Sequence, residues 1–174
     1  MQEIEVKILE VDRAKVEETL SRLGAKKVFD GDVEAFFFDF KIGSLAKVKS
    51  ILRLRREGSR VVLAFKKIAS KQGAKIAEEQ SVDVSDLEAM KKILQSIGLS
   101  VKESNQKSRI SYQLGNVHFD FDRYTGEYGY IPEFMEIEAE NLETIYKYAE
   151  LLGFKPEECL PWSTSDLVKH YSKP

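Results

Sequence analysis

The chain has 174 residues, a length that suits one domain with a proper core, and its formal net charge is −2. General nucleic-acid and membrane-surface binders carry an excess of basic residues, so this near-neutral charge argues against both classes. Its single cysteine, Cys159, excludes an internal disulfide and favours a reducing, cytoplasmic setting. The N-terminus shows no basic-then-apolar signal sequence, and no stretch approaches the ~20 apolar residues of a membrane helix.

Strands and helices are predicted from apolar residues at period two or at three- and four-residue spacing. In chain order, the pattern predicts a strand at 3–8, a helix at 12–24, strands at about 26–30, 33–40, 51–57, 60–67 and 79–84, a helix at 85–98, strands at about 106–114, 116–123 and 135–138, and helices at 141–153 and 165–171. Asp12 is the expected N-cap of the first helix, and Ser85 with Glu88 forms an expected capping box for the second. Hairpin turns are expected at 56–60 and 114–116.

A weak internal repeat runs through these elements. Residues 3–25, 78–99 and 136–154 each read as an acidic strand, a cap residue and a helix that ends at glycine. The spacing between the copies is irregular and is filled by further strands, which argues against a solenoid. We therefore expect one domain over residues 1–174, with a closed or strongly curved sheet in which the strands of the first and last copies lie close together.

The polar faces of the strands carry pairs of like charges two residues apart. Because successive strand side chains point to opposite faces, each pair shares one face. Antiparallel sheets commonly have one solvated face, and a wet surface is the alternative interpretation. Such pairs repel, however, unless an opposite charge lies between them. The pairs are Glu3 and Glu5, Arg53 and Arg55, Lys107 and Arg109, Asp120 and Asp122, and Glu136 and Glu138.

These charges predict a site for a metal–polyphosphate complex. Paired carboxylates favour a hard divalent cation such as Mg²⁺ or Mn²⁺. Paired arginines and lysines favour a polyanion, because the guanidinium group matches phosphate oxygens in a two-pronged geometry. The sequence has no glycine-rich Walker loop, so side chains must bind the phosphates.

Other chemistry finds little support. His118 and His170 are too far apart to indicate a zinc site, and His118, although on the charged face, is interpreted as a neutral bystander. No Ser/His/Asp arrangement appears. Cys159 is interpreted as a small packed residue rather than a nucleophile.

The ordered set of charges resembles the CYTH-domain proteins, the triphosphate tunnel metalloenzymes. The resemblance starts with Glu-Ile-Glu-Val-Lys at residues 3–7 and spans most of the chain. It continues through Phe38-Asp39, Leu52-Arg53-Leu54-Arg55, Lys66, Glu79, Lys107 and Arg109, Asp122, and Glu136-Ile137-Glu138.

The resemblance implies an α+β fold, a closed antiparallel barrel of about eight strands that forms a tunnel, with helices packed outside. By similarity, Glu3, Glu5, Glu136 and Glu138 bind Mg²⁺ or Mn²⁺, and Glu79 and Asp122 support them in catalysis. Lys7, Arg53, Arg55, Lys66, Lys107 and Arg109 bind the triphosphate by the same similarity.

The chain departs from the family pattern at three places. Phenylalanines at 36–38 replace the tyrosines of many relatives, Lys67 follows Lys66 where glycine is frequent, and residues 127–132 lengthen the connection before Glu136. The last departure affects the placement of Asp122.

The resemblance implies a metal-dependent enzyme that hydrolyses a small triphosphate: inorganic triphosphate, a nucleoside triphosphate or thiamine triphosphate. One alternative is a class IV adenylyl cyclase that makes cyclic AMP and pyrophosphate from ATP. The other is a non-catalytic module that binds nucleotide or polyphosphate. No nucleic-acid or membrane partner is expected, and a homodimer is left open.

Overall fold

The computed structural model describes residues 2–70 and 73–172. Within that part of the chain, eight antiparallel strands form a closed barrel in the order β1-β5-β4-β3-β2-β6-β7-β8. This confirms the predicted fold class. The strands are β1 (Gln2–Leu9), β2 (Lys26–Phe40), β3 (Ser50–Glu57), β4 (Arg60–Ser70), β5 (Lys75–Val84), β6 (Leu99–Leu114), β7 (Val117–Tyr124) and β8 (Phe134–Ala139).

The helices lie between the strands in sequence. They are α1 (Arg13–Arg22), α2 (Ser44–Lys47), α3 (Leu87–Ser96), α4 (Leu142–Leu151) and α5 (Thr164–Tyr171), with two short 3-10 helices at Gly126–Tyr128 and Pro156–Glu158. Asp12 caps α1, because its carboxylate accepts the Lys15 N–H. The predicted capping box at Ser85 is wrong: Asp86 is the N-cap of α3 and accepts the Ala89 N–H at 2.8 Å. Ser and Asp are both favoured N-cap residues, so the sequence pattern did not distinguish Ser85 from Asp86.

Several predicted boundaries differ from the structure, among them the starts of β5, at Lys75 rather than 79, and of β6, at Leu99 rather than 106. The predicted strands 26–30 and 33–40 are one strand, β2, because Gly31 pairs with Arg109 and Asp32 with Ser108 of β6 without a break. Helix α2 was not predicted. It begins where the Asp39 carboxylate accepts the N–H groups of Leu45 and Ala46, six and seven residues further along the chain.

The apolar faces of the strands turn outward and lie under the helices. Val16 and Leu20 of α1 and Ile145 and Ala149 of α4 pack on the outer residues of β1, β7 and β8. Leu87 and Leu94 of α3 pack on Phe38, Leu54 and Val61. The alternation along each strand therefore leaves the charged side chains inside the barrel.

The three repeat copies form neighbouring strands. β1 pairs with β8 on one side, with Val6 opposite Ile137, and with β5 on the other side, with Ile4 opposite Ile76. The prediction that the first and last copies lie close together is confirmed.

The C-terminal segment fills one end of the barrel. Beyond its pairing with β5, β1 exchanges two backbone hydrogen bonds of 2.8 Å between Lys7 and Leu160. Leu167 of α5 is fully buried against Tyr124 and Phe134, which share the inner face of β7 and β8. Trp162 packs beside them, and the Tyr124 hydroxyl lies 2.9 Å from that of Thr164. Cys159 is buried in the outer core, as expected for a packed residue.

None of the helices in residues 2–70 and 73–172 is both long enough and apolar enough to cross a membrane.

Candidate metal and triphosphate site

Three carboxylates converge inside the barrel. Glu3, Glu5 and Glu138 each offer an oxygen within 4.8 Å of the others, all partly buried. The pairing of β1 with β8 creates this cluster, because Glu5 lies directly opposite Glu138. Directly opposed residues have Cβ atoms about 4.5–5.5 Å apart, so like charges at these positions repel without a cation between them.

The charges around the cluster are uneven. Burial first, and then the negative charges of Glu3 and Glu5, raise the pKa of Glu138 to about 7. Burial acts the same way on Glu5, but the ammonium groups of Lys7 and Lys75 outweigh it and lower the pKa of Glu5 to about 2. A set of three oxygen donors with one carboxylate held at a raised pKa by its neighbours suits a hard divalent cation. The residues present therefore fit Mg²⁺ or Mn²⁺.

Glu136, predicted as a fourth metal ligand, is not part of this cluster. Its carboxylate lies 2.5 Å from Lys7 Nζ and 2.9 Å from Arg109 Nη2. Burial would raise the pKa of Glu136, but Lys7, Lys107 and Arg109 hold it well below its usual value. The structure places Glu136 as the partner of the buried cations.

Asp122 is the hub of a second group of ion pairs. It is 0% exposed, and its two oxygens accept from Arg109 Nε at 2.7 Å and Arg109 Nη2 at 2.6 Å in a two-pronged pair. Lys107 Nζ also donates to it. Burial lowers the pKa of Lys107, whereas the surrounding carboxylates outweigh burial and raise that of Arg109. Asp122 therefore fixes the cations predicted to hold phosphate.

The two arginines of β3 keep unused hydrogen-bond donors inside the barrel. Arg53 lies 3.8 Å from Glu79 and Arg55 lies 3.4 Å from Glu57, both beyond a good hydrogen bond. Among the described residues, Arg53 Nε and Arg55 Nε are buried with no hydrogen-bond partner. Burial first, and then the charge of Arg53, lower the pKa of Arg55 to about 10. A buried guanidinium with unused donors is suited to binding an anion.

Lys66 connects the arginines to the carboxylate cluster. Its ammonium donates to Glu3 and lies 2.6 Å from Glu79, which stands opposite it on β5. Burial by itself would raise the pKa of Glu79, but the positive charges of Lys66 and Arg53 outweigh burial and lower that pKa. The structure thus brings metal-type and phosphate-type residues to adjoining positions of one lumen.

Three further charged residues line the lumen and were not assigned to the site from sequence. Lys75 Nζ lies 2.8 Å from Glu5, Asp120 lies 2.5 Å from Arg109 Nη1, and Glu57 approaches both Arg55 and Arg109. Asp120 carries a sequence signal, since it alternates with Asp122. Lys75 and Glu57 lie at strand ends, where only the strand pairing shows that they face inward.

Two residues highlighted by the sequence have other placements. Asp39 of the Phe-Asp motif is nearly buried and caps α2 rather than joining the lumenal charges. His118 pairs across the strands with Glu138, which puts it beside the carboxylate cluster.

Comparisons with known proteins agree with this arrangement. The CYTH domain model matches residues 1–146. A protein of Methanocaldococcus jannaschii, named as a candidate adenylate cyclase, is 26% identical over 126 residues, which is 72% of each chain. A structure from Vibrio parahaemolyticus, likewise named, has a TM-score of 0.82 at 15% identity and covers 96% of this chain and 97% of its own.

A structure from Hippeastrum, described as a candidate adenylyl cyclase with a dominant triphosphatase activity, has a TM-score of 0.69 at 17% identity, with 99% and 97% of the chains covered. At these identities the two structures establish the fold alone. The family model covers most of the sequence and coincides with the charged barrel, so the chain belongs to the CYTH domain family.

Proposed function

We propose that this protein is a divalent-metal-dependent enzyme that hydrolyses a small triphosphate bound in the barrel lumen. One observation carries the proposal. The carboxylates of Glu3, Glu5 and Glu138 share a lumen with Arg53 and Arg55, whose buried Nε groups have no partner among the described residues. A metal–triphosphate complex supplies the positive charge that the first group lacks and the negative charge that the second group lacks.

Glu3, Glu5 and Glu138 would hold the Mg²⁺ or Mn²⁺. When bound, such an ion neutralises phosphate oxygens and lowers the pKa of a bound water. Glu136 would keep its place beside Lys7 and Arg109, and would not act as a ligand in the form described here.

Arg53, Arg55 and Lys66 would bind the phosphate chain. A guanidinium group donates two parallel hydrogen bonds to phosphate, so the two arginines fix orientation as well as charge. Lys66 already bridges Glu3 and Glu79, and it is placed to move between carboxylate and phosphate oxygens. Glu79 would orient Lys66 and Arg53 by charge.

Asp122 and Glu136 would position the remaining cations: Lys7, Lys107 and Arg109. Rigidly held cations lower the cost of reorganisation when charge develops on the transferred phosphoryl group. The roles of Glu79 and Asp122 are therefore supporting ones, exerted through the cations that they contact.

Cyclisation of ATP is the second candidate, favoured by the name of the Methanocaldococcus jannaschii relative. Both reactions need the same metal ligands and the same cations, because both depend on positioning and charge neutralisation. They differ in the nucleophile, which is water in one case and a ribose hydroxyl in the other.

The test is incubation with inorganic triphosphate, ATP and thiamine triphosphate, each with Mg²⁺, with Mn²⁺ and with EDTA, and chromatography of the products. Metal-dependent release of orthophosphate is the expected result. Cyclic AMP with pyrophosphate would establish the cyclase instead. Binding of these compounds without any product would identify a non-catalytic module.

A matched pair of variants ties any activity to the lumen. Arg55→Lys keeps the charge but removes the two-pronged geometry, and it should lower kcat/KM at least tenfold, given that good charge-assisted pairs contribute ~1.5–3 kcal/mol. Arg56→Lys is the control, because Arg56 is exposed on the outer face and pairs with Glu34. Equal losses in the two variants would place the chemistry outside the barrel.

A further inference from the structure

We propose that Phe29 forms a stacking surface for the aromatic ring of an organic triphosphate, so that the site prefers a nucleoside-type triphosphate to inorganic triphosphate. This inference rests on the proposed function and names its substrate class. It is carried by three features: a bulge that turns Phe29 into the lumen, two glycines that support its ring, and its position relative to the cations.

The bulge lies in β2 between Lys27 and Phe29. Before it, Lys27 pairs with Tyr112 of β6, and after it Phe29 pairs with Ser111. Ser111 belongs to the same inner row as Arg109, so Phe29 faces the lumen. In an unbroken register Val28 would take that place and Phe29 would point outward. Bulges commonly re-aim a side chain beside a functional site.

Two glycines support the ring of Phe29. A Cβ atom at Gly31 would lie 3.4 Å from Phe29 Cζ, and one at Gly58 would lie 3.5 Å from Phe29 Cε2. Gly58 has a φ of +55° in the turn between β3 and β4, and its N–H donates to Asp32 O at 3.3 Å. The ring edge therefore lies against the backbone of its own strand at Gly31 and of the β3–β4 turn at Gly58, while the side chain stays only half-buried. A supported and partly exposed aromatic ring is available for stacking.

The position of Phe29 fits the non-phosphate part of a substrate. The ring of Phe29 lies against Gly58, which follows Arg55 by three residues at the end of β3, and the strand rise makes that separation about 10 Å. The other end of the barrel is filled by Tyr124, Phe134 and Leu167. A substituent on a phosphate chain held by the arginines therefore extends toward Phe29.

The test compares ATP with inorganic triphosphate, which has the phosphates but no ring. Phe29→Leu keeps an apolar side chain on the two glycines but removes the aromatic face, and Phe29→Trp keeps that face. We expect Phe29→Leu to lower kcat/KM for ATP about tenfold relative to inorganic triphosphate, as base stacking on aromatic side chains contributes on that order. Phe29→Trp should retain the wild-type preference.

Phe65→Leu is the matched control, because Phe65 is 37% exposed and alternates with the inward-facing Lys66, so it lies on the outer face of β4. Thermal unfolding of each variant separates loss of fold from loss of preference. An equal decrease for ATP and inorganic triphosphate in Phe29→Leu, or no decrease for ATP, would overturn the proposal.

Equilibrium binding separates this inference from the proposed function. If no triphosphate is turned over, the proposed function fails, and the Kd values for ATP and inorganic triphosphate with Mg²⁺ then test Phe29 alone. If Phe29→Leu weakens the binding of ATP more than the binding of inorganic triphosphate, that result would support the stacking surface. Equal changes in the two Kd values would overturn it.

Discussion

Replacing Glu138 by Gln should stabilise the metal-free protein at alkaline pH. Burial and the nearby Glu3 and Glu5 raise the pKa of Glu138 to about 7 in the folded chain, against 4.5 for an unperturbed glutamate. Each tenfold change in the acid constant corresponds to 1.36 kcal/mol, so the ionised carboxylate costs the folded state about 3 kcal/mol at pH 8.5. Solvent screening of this partly exposed group makes that figure an upper limit.

The sign follows from proton binding. Between pH 4.5 and about 7 the folded chain keeps a proton at Glu138 that the unfolded chain has lost, so stability decreases as the pH rises through this range. Glutamine cannot ionise, and the variant should not show this decrease. A divalent cation bound to Glu3, Glu5 and Glu138 should instead make the wild type the more stable of the two proteins, because it stabilises the folded wild type by mass action.

The assay is urea unfolding at pH 5.5 and at pH 8.5, with EDTA and with Mn²⁺. At pH 8.5 in EDTA the variant should be the more stable protein, and Mn²⁺ should raise the free energy of unfolding of the wild type more than that of the variant. Glu140→Gln is the control, because Glu140 is exposed two residues further along. A variant less stable than wild type in EDTA at pH 8.5, or an equal gain from Mn²⁺, would refute the reasoning.

Three further changes test other parts of the lumen. Lys66→Ala should raise KM or lower kcat for every triphosphate that is turned over, while Lys67→Ala, on the exposed neighbouring position, should behave as wild type in the same steady-state assay. Asp122→Asn should lower the free energy of unfolding by about 3 kcal/mol, measured in guanidinium chloride, because the buried Arg109 and the partly buried Lys107 lose a charged partner; unchanged stability would show that Asp122 is not their anchor. Leu167→Ala should destabilise the chain by ~2–5 kcal/mol through a cavity at the filled end of the barrel, seen as a lower thermal midpoint. A midpoint equal to that of wild type would show that the helix does not close that end.

Much of the fold was available from the sequence because period-two alternation is a local property. The doubled charges at Arg53 and Arg55 and at Glu136 and Glu138 assigned each strand a polar face, and the apolar faces marked the outer core under the helices. The N-cap at Asp12 was also predicted from neighbouring residues, and so was the start of a helix at Asn141, which is the N-cap of α4. The order of the charged motifs along the chain was enough to indicate the family, which the model match at residues 1–146 confirmed.

The composition of the site depended on strand register, which the sequence does not encode locally. The pairing of β1 with β8 sets Glu5 opposite Glu138 and Lys7 opposite Glu136, so one glutamate joins the carboxylate cluster and the other pairs with a cation. Both glutamates belong to one Glu-Ile-Glu repeat and look equivalent in sequence.

The lumenal position of Phe29 also came only from the tertiary structure. Side chains alternate between the two faces of a strand, so a single extra residue in β2 moves each side chain beyond it to the opposite face. The pairing of Phe29 with Ser111 fixes this bulge, and the two residues are far apart in the chain. Alternation within a strand is thus determined by adjacent residues, whereas the contacts between strands depend on how the closed barrel aligns all eight of them in the described chain.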